Sequence, residues 1–171
     1  MVVWIIGLSG AGKTTLAREV VARLRRWKPN VAIVDGDMMR AVFGNDLGHG
    51  MEDRRRNADR ICRLCRLLDA QGIHVVCAIL SLFPESRRWN RENIPEYYEV
   101  FIDTPLEKLI ARDSKGIYAR YREGSLRNVV GLDIEFPKPE HPDLVIANTG
   151  SRNELLACAE PLAERIRRAV P

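Results

Sequence analysis

The chain has 171 residues, 46% of them hydrophobic and 29% charged, with 27 Lys plus Arg against 23 Asp plus Glu for a net charge of +4. That is one domain's worth of chain, able to bury roughly 70% of its unfolded surface without disulfides or a metal. The balance excludes disorder, and the longest nearly apolar run, Ile73 to Phe83, contains His74 and is too short to span a bilayer.

Met1 to Ile6 is a continuous apolar run of the kind that forms a buried parallel strand. A Gly-rich loop leads into a helix over Lys13 to Trp27, with Leu16, Val20, Leu24 and Trp27 on one face. Val31 to Val34 reads as a second strand, Asp37 to Phe43 as a short helix, and Met51 to Gln71 as a long amphipathic helix stopped by Gly72. Ile73 to Leu80 is a third strand, Phe83 to Pro95 an Arg-rich loop and helix, and Tyr97 to Ile102 a fourth strand. Thr104-Pro105-Leu106-Glu107 predicts a capping box with Pro at the first helical position. Ser114 to Pro142 has little periodicity and reads as a mobile cover. Leu144 to Ala147 is a fifth strand. Ser151 caps a last helix carrying Leu155, Ala159, Leu162 and Ile166, which Pro161 either kinks or restarts. The alternation predicts one α/β domain over residues 1–171, with a five-stranded parallel sheet flanked by helices.

Cys62 and Cys65 have CxxC spacing but no second pair, and with Ile61 and Leu64 they read as core-facing thiols; Cys77 reads as strand core. Arg54-Arg55-Arg56 reads as a solvated helix face before any motif is considered. The opening MVVWIIG lacks a basic n-region and a cleavage site, which predicts a cytoplasmic protein. The mild positive charge suits a polyanionic small molecule. With aromatics at 6% and no nucleic-acid-binding motif, neither nucleic acid nor a membrane is an expected partner.

Gly7-Leu8-Ser9-Gly10-Ala11-Gly12-Lys13-Thr14 matches GxxxxGK[ST] between a strand and a helix. Such a loop turns successive backbone N–H groups onto phosphate oxygens at a helix N-terminus. Lys13 then bridges β- and γ-phosphates, and the Thr14 hydroxyl holds Mg²⁺. The second strand ends in Asp35 and Asp37, with Arg40 one turn further on, at the sheet edge where ligands sit in such folds. Two carboxylates there can orient the metal or take a proton from an attacking hydroxyl. Asp37 reads equally well as the N-cap of the helix it starts.

These residues, taken in order, resemble the adenylylsulfate (APS) kinase family over nearly the whole chain. The resemblance rests on GLSGAGKTT at Gly7 to Thr15, DGDMMR at Asp35 to Arg40, DLG and EDRRRN between Asp46 and Asn57, and ILS at Ile79 to Ser81. It continues through FIDTPLE at Phe101 to Glu107, RDSKGIY at Arg112 to Tyr118, RNVVGLD at Arg127 to Asp133 and PEHPDL at Pro139 to Leu144. It implies a P-loop kinase that moves the γ-phosphoryl of Mg-ATP to the 3′-hydroxyl of adenylylsulfate. Lys13, Asp37 and Ser81 are then the catalytic set, and Thr14 with Asp35 the metal side. Gly7, Ser9, Gly10, Ala11, Gly12, Lys13, Thr14, Thr15, Arg112 and Lys115 would hold ATP. Asp37, Arg40, His49, Arg54, Asn57, Leu80, Ser81, Lys115, Arg127, Asn128 and Val129 would hold the acceptor. Residues from about 114 to 131 would be a lid that excludes water. With no base evident beside Ser81, direct in-line transfer is expected rather than a phosphoserine. The family often dimerises; Trp89, Tyr97 and Tyr98 serve as such a face or as core.

The acceptor side departs from the family pattern. Where the family has Phe after the LG of the first acceptor loop and another after Lys-Asn in the lid, this chain has His49 and Val129. Leu82 and Ser114 stand where Pro is usual, and Ile134-Glu135-Phe136-Pro137 replaces a Ser-Pro-Tyr-Glu-like stretch. Base–aromatic stacking is worth ~1–3 kcal/mol per base, so two absent rings bear directly on the acceptor. A subgroup resembling APS kinase phosphorylates cytidine diphosphoramidate in capsule modification, and VVGLDIEFPKPEHPDL looks more like that subgroup. The expected acceptor is therefore adenylylsulfate or, alternatively, a cytidine nucleotide. A nucleotide-binding regulator without turnover is the competing class, and Asp35, Asp37 and Arg40 argue against it.

Overall fold

The computed structural model describes residues 1–169; positions 170 and 171, the end of the expected 1–171 domain, lie outside the described residues. The strands are β1 (Val2–Ile6), β2 (Val31–Asp35), β3 (His74–Ile79), β4 (Tyr97–Asp103) and β5 (Leu144–Ala147). They form one parallel sheet in the order β2-β3-β1-β4-β5, with β1 in register between β3 and β4. The helices are α1 (Lys13–Leu24), α2 (Gly36–Val42), α3 (Met51–Ala70), α4 (Pro84–Asn93), α5 (Leu106–Arg112), α6 (Ile117–Arg122), α7 (Arg152–Ala157) and α8 (Ala159–Arg168). Among the described residues, no helix is long and apolar enough to cross a membrane.

Alternation along β1 builds two cores. Val3 and Ile5 pack with Leu16, Val20 and Leu24 of α1 and Leu162 and Ile166 of α8. Val2, Trp4 and Ile6 face the other way, onto Ile61, Cys62 and Cys65 of α3 and Ile94. Each fully buried Val, Ile or Leu contributes roughly 1.5–3 kcal/mol. Cys62, Cys65 and Cys77 are free and buried inside the second core, and burial pushes the Cys62 thiol up to about 12. The core reading of the CxxC holds. Trp89 and Tyr97 pack partly on that same core, and Tyr98 on the other.

Three local expectations change. α1 ends at Leu24 instead of running to Trp27, whose ring is 59% exposed. Pro29 disfavours helical backbone at the residue before it, and the chain turns off early, leaving Trp27 beside the Arg167 guanidinium. Thr104 does not cap α5: Pro105 itself takes the N-cap position, and the Thr104 hydroxyl is buried with no partner among the described residues. The stretch after Ser114 is not featureless, since it contains α6, and Tyr118 on that helix is buried. Two others hold. The Ser151 hydroxyl accepts from the Glu154 N–H, and a new helix, α8, begins two residues before Pro161.

Gly7, at the exit of β1, has no room for a side chain: a Cβ there would lie 2.9 Å from the Ile102 carbonyl oxygen of β4. A backbone carbonyl cannot rotate away, so Gly7→Ala is expected to cost about 1–3 kcal/mol, a fall of roughly 3–10 °C in Tm by calorimetry. Gly36→Ala meets nothing within 4 Å. It should leave Tm level or raise it, since alanine is favoured over glycine inside a helix.

Candidate functional site

All strand exits lie on one edge of the sheet, and the loops there surround a cleft of about 540 Å³. That is within the usual range for a small-molecule site. The loop after β1 supplies its phosphate side. Gly12, at φ 94°, is the N-cap of α1, a left-handed position that glycine adopts without strain. Lys13 Nζ folds back to donate to the Leu8 carbonyl at 2.8 Å. Thr14 Oγ1 donates to Asp35 Oδ2 at 2.6 Å, so the loop and the end of β2 meet. Two groups pin the loop from outside: Asn148 Nδ2 donates to the Ala11 carbonyl at 3.0 Å, and the Tyr118 hydroxyl to the Ser9 carbonyl at 3.0 Å.

The capping question at β2 is resolved in favour of Asp35. Its Oδ1 accepts from the N–H groups of Asp37 and Met38. Asp37 is thereby free of capping, and its carboxylate lies in the cleft, paired to Lys115 Nζ at 2.6 Å. Burial alone would raise the Asp37 carboxyl. The Lys115 hydrogen bond and charge outweigh it, with Lys13 and His49 adding, and hold it below the usual range. Both partners of this pair are more than half exposed, so the contact is easily broken, worth about 0–1 kcal/mol.

The wall of the cleft beyond Asp37 is built by arginines bound to main chain. Arg40 Nη1 donates to the carbonyls of Leu47 (2.9 Å) and Gly48 (2.6 Å), shaping the loop that carries His49. Arg54 Nε donates to the His49 carbonyl at 2.7 Å and Nη2 to the Asn128 carbonyl at 2.9 Å, tying α3 to the opposite wall. Asn128 is left-handed at φ 61°, and the Asp133 carboxylate receives the N–H groups of Asn128 and Val129. Desolvation, then the charges of Arg40 and Arg54, hold the His49 imidazole below its usual pKa, against the pull of Asp37. Arg55 and Arg56 are exposed and pair with Glu85 and Glu52, as a solvated face should.

The cleft gathers Ser9, Lys13, Thr14 and Asp35 on one side. Asp37, Arg40, His49, Arg54, Asn57, Leu80 and Ser81 continue around it, and Lys115, Arg127, Asn128 and Val129 close it. Gly7, Gly10, Ala11, Gly12 and Thr15 do not line this cleft. Arg112 is not in it, and instead donates to the Gly150 carbonyl at 3.2 Å. Sequence reasoning missed Ile117, Arg120 and Leu126, which also line the cleft. The i, i+3 spacing of Ile117 and Arg120 was the available signal, masked by the short helix that carries it. Thr14 and Asp35 offer one hydroxyl and one carboxylate, hard oxygen donors that fit Mg²⁺ held partly by phosphate oxygens and water.

Desolvation first, then the charge of Lys115, pushes the Lys13 ammonium down to about 8, against the pull of Asp35 and Asp37. A polyphosphate binds the charged form, so raising the pH through 8 in the free protein removes the group it needs. Affinity for a non-hydrolysable ATP analogue is expected to be flat below pH 7.5 and to fall up to about tenfold per unit above 8. Calorimetric titration from pH 6.5 to 9.5 checks this, and Lys13→Met should abolish the slope.

Known proteins share this arrangement. The family model described as adenylylsulphate kinase matches residues 1–147. The chain is 41% identical over 142 residues to an adenylyl-sulfate kinase of Halothermothrix orenii, covering 83% of this chain and 77% of that one. It is 36% identical over 168 residues to the cytidine diphosphoramidate kinase of Campylobacter jejuni, covering 96% and 95%. It also matches, at 37% identity, 26% of the length of the bifunctional enzyme NodQ of Azospirillum brasilense. The structure of the Mycobacterium tuberculosis APS kinase CysC in complex with AMPPNP and APS superposes with a TM-score of 0.84 at 32% identity, covering 96% of each chain. The family model spans most of the chain and relatives aligned over most of their length exceed 30% identity, so the chain belongs to the adenylylsulphate kinase family.

Proposed function

We propose that this protein is an ATP-dependent kinase that transfers the γ-phosphoryl group to the 3′-hydroxyl of adenylylsulfate. The observation that carries the reading is the meeting of the two half-sites. The P-loop Lys13 and Thr14 and the carboxylate of Asp37, which does not cap α2, line the same cleft as Arg40, Arg54 and Asn57. The relatives that act on adenylylsulfate support this choice of acceptor.

In this mechanism the P-loop N–H groups and Lys13 hold the triphosphate, and Thr14 and Asp35 would hold Mg²⁺, which would supply neutralisation of phosphate charge. Arg40, Arg54 and Asn57 orient the acceptor. Its 3′-hydroxyl displaces Lys115 from Asp37, whose ionised carboxylate accepts the proton. The hydroxyl oxygen forms the new P–O bond as the bond from γ-phosphorus to the bridging oxygen breaks, and ADP leaves. Lys115, once released, is placed to meet the charge on the transferred group. Residues 114 to 131 act as a lid, anchored to the P-loop by Tyr118 and closing over both substrates, so that water does not compete. The setting is the cytoplasm.

A second reading, with the same chemistry on cytidine diphosphoramidate, is favoured by one observation. His49 and Val129 stand on the acceptor walls where aromatic rings are usual, and the C. jejuni relative aligns over nearly its full length.

Acceptor-dependent ADP release distinguishes the two. Adenylylsulfate is expected to give the highest kcat/KM in a panel with cytidine diphosphoramidate and simple nucleotides. A cytidine compound ahead by tenfold, about 1.4 kcal/mol, moves the assignment to the second reading. In Asp37→Asn, kcat should fall about 10²-fold or more with Tm and the KM for ATP little changed. Full activity in that variant removes Asp37 as proton acceptor.

A further inference from the structure

Ser81 sits where β3 opens into the cleft, in a backbone conformation that L side chains rarely adopt, at φ 55°. It is 3% exposed, and two buried donors converge on it from different elements. Trp4 Nε1 of β1 donates to Ser81 Oγ at 3.1 Å, and Arg87 Nη1 of α4 donates to the Ser81 carbonyl at 2.8 Å. An indole N–H only donates, so it occupies a lone pair of Oγ. Among the described residues the Ser81 hydroxyl hydrogen has no protein acceptor, and the residue lines the cleft. What Ser81 presents to a ligand is therefore a donor, matched to an oxygen of an anionic group.

Arg87 is itself held inside the protein. Its Nε lies 3.9 Å from Glu99 Oε1, and both side chains are nearly sealed from water. Glu99 Oε2 accepts from the Tyr97 hydroxyl at 2.9 Å and lies 3.7 Å from Arg91 Nη2, which also reaches Asp143 at 3.2 Å. A buried pair this loose is no better for stability than an apolar replacement of equal volume. The short contact that Arg87 makes is the one to Ser81.

We infer that Arg87 and Trp4 are positioning residues of the acceptor site: they hold Ser81 so that its hydroxyl hydrogen faces the cleft, and Glu99 holds Arg87 for that task. Trp4 sets the hydroxyl, Arg87 sets the backbone, and neither touches a ligand. The inference rests on the proposed reading in that an acceptor anion binds at Ser81, and one arm of its test needs no acceptor.

Arg87→Met with Glu99→Gln removes both buried charges at similar volume and protects folding. In ¹H–¹⁵N spectra the Trp4 indole signal, assigned by Trp27→Phe and Trp89→Phe, is expected to move in the same direction as in Ser81→Ala, with Trp27 unmoved. A Trp4 signal left in place in the folded double variant overturns the inference. In the kinetic arm, the double variant should lower kcat/KM for the acceptor about tenfold while the KM for ATP changes less than about twofold. Arg87→Lys should lose less, and in a Ser81→Ala background the double replacement should cost less than about twofold more. Equal losses in both backgrounds, or a parallel rise in the KM for ATP, mean a merely structural pair. If no acceptor turns over with the unaltered protein, the functional reading fails, and the indole signal alone decides the positioning.

Discussion

β1 lies between β3 and β4 with all five side chains sealed from water, and the loop that leaves it runs so close to β4 that Gly7 has no room for a side chain. The rest of the molecule is arranged around that strand. Its two faces nucleate the two cores, α1 starts where its loop ends, and its neighbour β3 delivers Ser81 to the same edge. A parallel sheet puts every carboxyl end on one side, so the P-loop, Asp35, Asp37 and Ser81 converge although they are far apart in the chain.

Within the cleft, charge is balanced by main chain more than by opposite charge. Arg40 and Arg54 make their hydrogen bonds to carbonyls of the loops that carry His49 and Asn128. They act as braces for those loops. The ion pair between Lys115 and Asp37, across the cleft, is exposed and weak.

The polar groups deeper in the protein are arranged differently. Arg87 and Glu99 are buried in a loose pair, and burial raises the Glu99 carboxyl even with Tyr97, Arg91 and Arg87 opposing it. The hydrogen bond from Arg87 to the Ser81 carbonyl links that pair to the edge of the sheet that lines the cleft.

Much of this was legible in the chain itself. The apolar run of β1, the GxxxxGK[ST] loop and the strand–helix alternation depend on local pattern, and local pattern is written in consecutive residues. The order of motifs from Gly7 to Leu144 likewise carried the family. The boundaries that moved were those where a neighbouring proline or a tertiary contact overrode propensity, as at Trp27 and Thr104. Sequence could not say whether Asp37 caps α2 or serves the cleft, because a carboxylate suits both roles; the N–H groups of Asp37 and Met38 donating to Asp35, and Lys115 reaching Asp37 from a distant element, decided it. Nor could it show that Ile117, Arg120 and Leu126 face the cleft, that Arg112 turns away to Gly150, or that Trp4 and Arg87 meet on Ser81. Those contacts join residues up to 77 positions apart, and no local rule ranks one distant partner above another until the strands are in register.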